Sequence, residues 1–158
     1  GPATFEPDGE MTRAMFVTVL SRVEGIDAAQ YAGSDFSDVA AGQWYSAAVQ
    51  WASKNGIVEG TGDGRFDPDR SVTREQMATI LYRYAQSKGQ GFEGEWMFLL
   101  DYPDASDISD WADEAMHWMV MNGVIKGMDD AGNLVPQGGA TRAQVAAMMQ
   151  RFCESVAR

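Results

Sequence analysis

The stretch SVTREQMATILYRYA, residues 71–85, has a pattern that occurs three times in the chain. It contains Thr73-Arg74 and, nine residues after this arginine, Arg83. The stretches GEMTRAMFVTVLSRV (9–23) and GATRAQVAAMMQRFC (139–153) carry the same two features. An internal repeat at this scale indicates tandem supersecondary units that stack on one another.

Alignment of the three Thr-Arg pairs brings further residues into register. A proline stands five residues before the threonine in each copy, at Pro7 in Phe5-Glu6-Pro7, at Pro68 and at Pro136. In the second and third copies the match extends upstream through polar, small and aromatic positions, with two single-residue slips. These pairs are Asp38/Asp104, Trp44/Trp111, Ala48/Ala115, Trp51/Trp118, Asn55-Gly56/Asn122-Gly123 and Gly60/Gly127.

The repeat divides the chain into units of about 55 to 60 residues. We expect a first repeat at 1–33 that has only its second half, a second at 34–89, an insert at 90–100 and a third at 101–158. Because the first copy has no leading helix, one face of the assembly is expected to be open. A longer native chain, or a neighbouring molecule through domain exchange or self-association, would close that face.

The leading half of each full repeat is predicted to be an amphipathic helix. In QWYSAAVQWASKNG (43–56) apolar residues recur at the i, i+3, i+4, i+7 spacing, and Asn55-Gly56 supplies a left-handed stop. The third repeat has the same spacing from Trp111 to Asn122-Gly123. Each full repeat is therefore helix, glycine-rich turn, helix.

The second helix of each repeat is predicted to begin after its threonine. Thr73 with Gln76, and Thr141 with Gln144, fit a capping box, whereas Thr12 is followed by Met15 and keeps half of the motif. An apolar stripe follows each cap and predicts core packing: Phe16, Val19, Leu20 and Val23; Met77, Ile80, Leu81 and Tyr84; Val145, Met148, Met149 and Phe152. The predicted fold is all-α.

Composition restricts the function. Twelve basic and 23 acidic residues give a net charge of -11, which argues against a nucleic-acid partner. The longest apolar runs are far shorter than the roughly 20 residues that span a bilayer, so no membrane span is expected. Cys153 is expected to be a buried, inert thiol. The start of the chain has no signal-peptide pattern, and an export signal is expected to lie outside this sequence.

An arginine at the start of a helix calls for a reason, because the helix dipole disfavours a cation there. One explanation is a salt bridge to a nearby carboxylate such as Asp63, Asp67 or Asp129. The other is an anion site, formed by exposed backbone N–H groups, the helix dipole and a bidentate guanidinium. The threefold occurrence of the arginine favours the anion site.

The paired tryptophans divide into two positions. Trp51 and Trp118 are central in the apolar stripe and are predicted to lie in the core. Trp44 and Trp111, at the start of the leading helix, fit either the core or a groove in which the ring covers the C–H face of a sugar. The sequence leaves both alternatives open.

These features together resemble the S-layer homology domain. The residues that carry the resemblance are FSDVAAGQWYSAAVQWASKNGIVEGTGDGRFDPDRSVTREQ (36–76), with weaker versions at 102–144 and in TFEPDGEMTRAM (4–15). The resemblance implies a pseudo-threefold, three-prong spindle with a central helical bundle and grooves between units. It also implies noncovalent anchoring of a surface protein to the bacterial cell wall, outside the cell, through an acidic, typically pyruvylated, secondary cell-wall polysaccharide.

The resemblance also implies roles for residues of this chain. The binding arginines are expected to be Arg13, Arg74 and Arg142, and the groove aromatics Trp44 and Trp111. The turn residues implied less directly are Gly60, Asp63, Gly127 and Asp129. The chain departs from the family pattern at Met15, Gln76 and Gln144, where the family has glutamate.

Other chemistry finds little support in the sequence. His117 and Cys153 stand in no triad or metal-ligand spacing, so no catalytic residue, metal site or cofactor is expected. The turn after Asp63 fails as a calcium loop because Pro68 occupies the sixth position and Arg74 the twelfth. The alternative to wall anchoring is a structural or self-assembly module in which the arginines join units through carboxylates and the surface binds protein.

Overall fold

The computed structural model describes residues 9–156. Phe5, Glu6 and Pro7 of the first repeat lie outside the described residues. The described part forms five α-helices, and β pairing within it is limited to isolated bridges, which confirms the all-α prediction. The helices are α1 (Arg13–Glu24), α2 (Ser46–Lys54), α3 (Arg74–Ser87), α4 (Asp113–Met121) and α5 (Arg142–Ser155). Three short 3-10 helices occupy Ala28–Gln30, Ala105–Asp107 and Asp110–Ala112.

The three Thr-Arg pairs mark the starts of α1, α3 and α5, as predicted. The hydroxyls of Thr73 and Thr141 accept hydrogen bonds from the backbone N–H groups of Gln76 and Gln144. Both glutamine side chains reach back to the threonine N–H, so each capping box is complete. Thr12 accepts from Met15 N alone, because methionine has no polar group to return the bond.

The leading helices α2 and α4 end at the two Asn-Gly pairs. Asn55 and Asn122 each donate from Nδ2 to a tryptophan carbonyl, at 2.8 Å, and a glycine at positive φ follows each asparagine. The predicted start was early: Trp44 lies in a turn before α2, and Trp111 lies in the 3-10 helix before α4.

The three units are joined in a ring at the starts of α1, α3 and α5. The first N–H of each of these helices donates to a backbone carbonyl in the segment before the next one around the ring. The bonds run from Arg13 to Arg70 (2.9 Å), from Arg74 to Gly138 (3.0 Å) and from Arg142 to Gly9 (2.9 Å). The next N–H in α1 and in α3 follows the same rule, from Ala14 to Pro68 and from Glu75 to Pro136. This cyclic order is the basis of the pseudo-threefold arrangement.

Each leading helix packs on the central helix of the unit before it, α2 on α1 and α4 on α3. The central helices therefore bury a second face, which consists of Ala14, Val17 and Ser21 in α1 and of Glu75, Ala78 and Tyr82 in α3. The equivalent positions of α5, Ala143, Ala146 and Gln150, are exposed. Within residues 9–156 this face of α5 is open.

A single contiguous core holds the bundle together. Ten of the twelve predicted stripe residues are buried; Val19 is half-buried and Val23, in the last turn of α1, is 43% exposed. Phe16, Phe66 and Phe152 are fully buried, and each contributes about 1.5–3 kcal/mol by leaving water. Trp51 and Trp118 are core residues, as predicted. Cys153 is half-buried rather than buried, because the adjoining face of α5 is open.

Candidate ligand groove

A groove of about 440 Å³ lies where the three units meet. Most of its lining comes from one side of α3 and from the segment between α2 and α3. Its lining consists of residues 58–61, Arg70, four residues of α3 (Gln76, Thr79, Ile80 and Arg83), Arg13 from α1, and Trp111 from the third unit. Three predicted site residues, Arg13, Gly60 and Trp111, are thus brought together.

Arg13 forms the floor of the groove. The residue is 5% exposed, its Nε donates to the carbonyl of Phe66 at 2.9 Å, and its guanidinium lies 4.7 Å from the centre of the Phe66 ring. No carboxylate of residues 9–156 lies within ion-pair distance, so the salt-bridge explanation does not hold for this arginine. Burial lowers the pKa of Arg13, and the nearby charge of Asp67 opposes that shift. The guanidinium remains a cation, with donors left for a ligand.

The turn that holds Arg13 is built around Asp38. Its two carboxylate oxygens accept from the backbone N–H groups of Phe66 and Asp67, both at 2.8 Å. These bonds hold the backbone at Phe66 in place, and the Phe66 carbonyl accepts the hydrogen bond from Nε of Arg13. Asp104 binds Leu134 and Val135 in the same way, which explains why the aspartate recurs in the repeat.

The backbone amides at the helix starts are occupied, contrary to the expectation of exposed N–H groups. In α1 the first two N–H groups donate to carbonyls of the second unit, and the third donates to the Thr12 hydroxyl. The physical reason is the ring of units, which places a neighbouring turn directly over each helix start. An anion in the groove would therefore meet guanidinium groups rather than helix N–H groups.

Arg83 is a groove residue that the site prediction missed. It faces the groove from α3 with its side chain 30% exposed, and its Nη2 lies 3.5 Å from Oε2 of Glu59. Arg70 adds a third guanidinium, 69% exposed and 3.8 Å from Asp67. The sequence signal for Arg83 was the nine-residue interval between the two arginines of each repeat. In α3 this interval leads from Arg74, at the capped start of the helix, to Arg83, which lines the groove.

Gly60 is required by the backbone at the groove wall. Its φ is +90°, and a Cβ there would lie 2.5 Å from the Arg65 carbonyl oxygen and 2.7 Å from the Phe36 ring. A glycine is the residue that satisfies both conditions. Gly60 therefore shapes the wall instead of contacting a ligand through a side chain.

Trp111 is 58% exposed and lies at the edge of the groove. Its 3-10 helix begins after Ser109, whose N–H and hydroxyl both donate to the buried carboxylate of Glu75. The structure thus favours the groove alternative over the core alternative for Trp111. Trp44 is also outside the core. It is 45% exposed, its ring makes an edge contact with the ring of Tyr45, and it does not line this groove.

The other two predicted arginines differ from Arg13. Arg74 is 7% exposed; its Nη2 donates to Oε1 of Gln144 at 3.0 Å, while its Nε meets no acceptor among the described residues. Arg142 is half-buried, with Nη2 3.6 Å from Sδ of Met15. Neither lines the groove that contains Arg13.

The predicted turn residues Asp63, Gly127 and Asp129 are exposed and lie outside this groove. Asp129 accepts from the backbone N–H and the Nδ2 of Asn133, so its carboxylate closes its own turn. These hydrogen bonds lower its pKa. Gly127 approaches the Gly132 backbone closely, with 3.1 Å between its ideal Cβ position and the Gly132 carbonyl oxygen.

His117 and Cys153 lie away from the groove. Nδ1 of His117 is 2.7 Å from the carbonyl oxygen of Asp113, within α4, and its ring contacts Trp96 of the insert. Within the described range of the chain, none of the helices has the length and apolarity needed to cross a membrane.

The chain is similar to segments of several longer proteins. It is 35% identical over 150 residues to an amylopullulanase of Thermoanaerobacterium thermosulfurigenes and 32% identical over 154 residues to the surface-layer 125 kDa protein of Lysinibacillus sphaericus. It is 28% identical over 154 residues to the cellulosome-anchoring protein of Acetivibrio thermocellus. These matches cover 95 to 96% of the chain but only 8, 12 and 33% of the three relatives.

The sequence profile of the S-layer homology domain matches residues 35–78 and 101–146. The first match runs from the segment before α2 into α3, and the second from the segment before α4 into α5. Together they cover more than half of the chain, so it belongs to the S-layer homology domain family.

Proposed function

We propose that this chain is a cell-surface module that anchors the protein containing it to the bacterial cell wall. Two relatives, named as a surface-layer protein and a cellulosome-anchoring protein, support this assignment. Membership of this chain in the S-layer homology domain family supports it as well. The relative named as a carbohydrate-degrading enzyme matches over 8% of its length, which supports binding rather than catalysis as the role of this segment.

We further propose that the ligand is an acidic, pyruvylated wall polysaccharide bound in the groove. The observation that carries this proposal is Arg13, a buried cation with no described carboxylate partner, beneath an open groove. A ketal carboxylate fits the free guanidinium donors, and the exposed ring of Trp111 offers an apolar surface for the adjacent sugar.

The negative charge of the whole chain does not prevent this binding. At physiological ionic strength the screening length is about 8 Å, so the guanidinium groups in the groove outweigh distant acids. Binding should tolerate moderate salt and depend on the stereochemistry of the glycan.

Sedimentation with purified wall sacculi tests the proposal. The wild-type chain should sediment with sacculi, and removal of the acidic polymer from the wall should abolish sedimentation. Arg13→Ala should reduce binding about tenfold or more, because it removes a charge-assisted contact.

Trp111→Ala is a second test that spares the core, since the ring is more than half exposed. Trp44→Ala is its matched control, at the same position of the second unit but outside the groove. Reduced binding by Trp111→Ala alone supports the groove. Unchanged binding by both Arg13→Ala and Trp111→Ala overturns the assignment of the site.

A second candidate function is protein assembly, which the insert favours. Met97 is 99% exposed and Leu99 is 86% exposed on this segment, whereas the rings of Phe92 and Trp96 stack on each other at 4.4 Å. In this alternative the chain self-associates, through the insert or the open face of α5, without binding glycan. Sedimentation that persists after removal of the wall polymer, together with concentration-dependent dimerisation, would favour it.

A further inference from the structure

The groove holds more positive charge than one anion requires. Arg13, Arg70 and Arg83 line it, and Glu59 is the acidic residue in its lining. The rest of the molecule has the opposite balance, with a net charge of -11. This local reversal indicates a ligand that brings more than one negative charge into the groove.

The cations lie at different places along the groove. Arg13 is near the start of α3, because its own N–H is bound to the carbonyl of Arg70. Arg83 is seven residues beyond Gln76 on the same wall, a rise of about 10 Å along the helix. The two side chains also have different partners, the Phe66 carbonyl for Arg13 and Glu59 for Arg83, so each guanidinium can take its own anion.

Arg83 is held by an ion pair that a ligand can replace. Its Nη2 is 3.5 Å from Oε2 of Glu59, and the Glu59 side chain is 75% exposed. A pair so open to water is weak, and its carboxylate can turn into solvent when another anion arrives. Arg13 has no such competitor among residues 9–156, so the two sites differ in how readily they accept a ligand.

We propose that Arg83 is the second anion-binding residue of this groove, and that the groove takes a saccharide segment that carries two carboxylates. Arg13 binds one carboxylate of the ligand. Arg83 binds the other, which replaces the carboxylate of Glu59. The inference rests on the proposed function and specifies its ligand class. It also gives a role to the second arginine of the second repeat.

Calorimetric titration with two synthetic probes tests the inference. One probe is a methyl hexoside with a single 4,6-linked pyruvate ketal; the other is an oligosaccharide with such a ketal on two of its sugars. The wild-type chain should bind the two-ketal probe at least tenfold more tightly. Arg83→Ala should bring the affinity for the two-ketal probe down to that for the one-ketal probe, whereas Arg13→Ala should weaken binding of both probes.

Two further variants separate the groove from general charge effects. Glu59→Gln should tighten binding of the two-ketal probe several-fold, because it removes the competing carboxylate; a purely structural role for the pair does not predict this gain. Arg151→Ala, at the equivalent position of α5, should leave both affinities unchanged. A similar loss in Arg151→Ala and Arg83→Ala would overturn the inference.

The outcomes distinguish the two proposals. If Arg13→Ala loses binding while Arg83→Ala and Glu59→Gln match the wild type, this inference fails and wall binding stands. If the wild-type chain binds neither probe and no wall sacculi, both proposals fail. Should Arg83→Ala not fold, Glu59→Gln alone decides the matter through the direction of its effect.

Discussion

The carboxylate of Glu75, on the first turn of α3, accepts hydrogen bonds from both the N–H (3.0 Å) and the hydroxyl (2.7 Å) of Ser109. The amide of Gln137 donates to the same carboxylate at 3.1 Å. Glu75 is 2% exposed, and the equivalent residues of the other units are Ala14 and Ala143. This junction is therefore specific to the second and third units, and it fixes the turn that presents Trp111 to the groove.

Replacement of Glu75 by alanine should lower the free energy of unfolding by about 2 kcal/mol, because hydrogen bonds to a buried charged group are lost. Urea denaturation measures this change. Ser109→Ala, which keeps the backbone bond, should cost less, about 1 kcal/mol. Wall binding should also weaken in Glu75→Ala, since Trp111 is no longer held. Equal stability of Glu75→Ala and the wild type would contradict the role of this junction.

Acid should destabilise the molecule through Asp38. Burial alone would raise the pKa of this carboxyl, but hydrogen bonds from the N–H groups of Phe66 and Asp67 outweigh it and lower the pKa. The folded state thus binds fewer protons than the unfolded state near pH 4. The stabilisation is present above the unfolded pKa and is lost as the pH falls through the folded pKa.

Asp38→Asn should flatten this acid dependence and lower stability at neutral pH, because the amide offers one acceptor in place of two. Unfolding midpoints of the wild type and the variant, measured from pH 7 to pH 2.5, test the prediction. The two curves should converge at the acid end. Parallel curves over the whole range would exclude Asp38 as a source of the acid sensitivity.

Substitution of Gly60 by alanine should destabilise the chain by about 2 to 3 kcal/mol. The added Cβ meets a backbone carbonyl and a buried ring, and the positive φ is unfavourable for any side chain. Gly62→Ala is a matched control, since its φ is +118° but a Cβ there meets nothing within 4 Å. Thermal denaturation should show the larger loss for Gly60→Ala; equal losses would mean that packing at Gly60 is unimportant.

Val135 offers a route to a more stable chain. Its φ of +51° is left-handed, a conformation that is costly for a β-branched residue. The equivalent position in the second unit is Asp67, with φ of +57°. Val135→Asn should raise the free energy of unfolding by about 1 kcal/mol, measured by urea denaturation. A lower stability would show that the contacts of the valine side chain outweigh its backbone strain.

Much of the fold could be predicted from local patterns. The threonine caps, the Asn-Gly stops and the buried Trp51 and Trp118 depend on residues within a few positions of one another, and these predictions are confirmed. Helix α2 begins later than predicted because Ser46 folds back on the turn before it, where its hydroxyl accepts from Gln43 N and donates to the Ala40 carbonyl.

The site was harder to predict because it depends on long-range pairing. The sequence indicated Arg13 as a groove cation but not that Pro68 and Arg70 would occupy the N–H groups beside it. It also gave no means of telling which of three similar arginines would face an open groove. The sequence showed Arg83 only as the second arginine of a repeated nine-residue interval. That it lines the groove depends on how α3 packs in the fold. The repeat boundaries and the ligand-binding roles of the site residues stay predictions.

The ring of carbonyl-to-amide bonds has a consequence for cooperativity. The threonine of each unit caps its own central helix, but the acceptor for the first N–H of that helix comes from a neighbouring unit. A unit separated from the others would expose these donors to water and lose the shared core. We therefore expect the assembled units, and not a single sequence repeat, to be the smallest element that folds on its own.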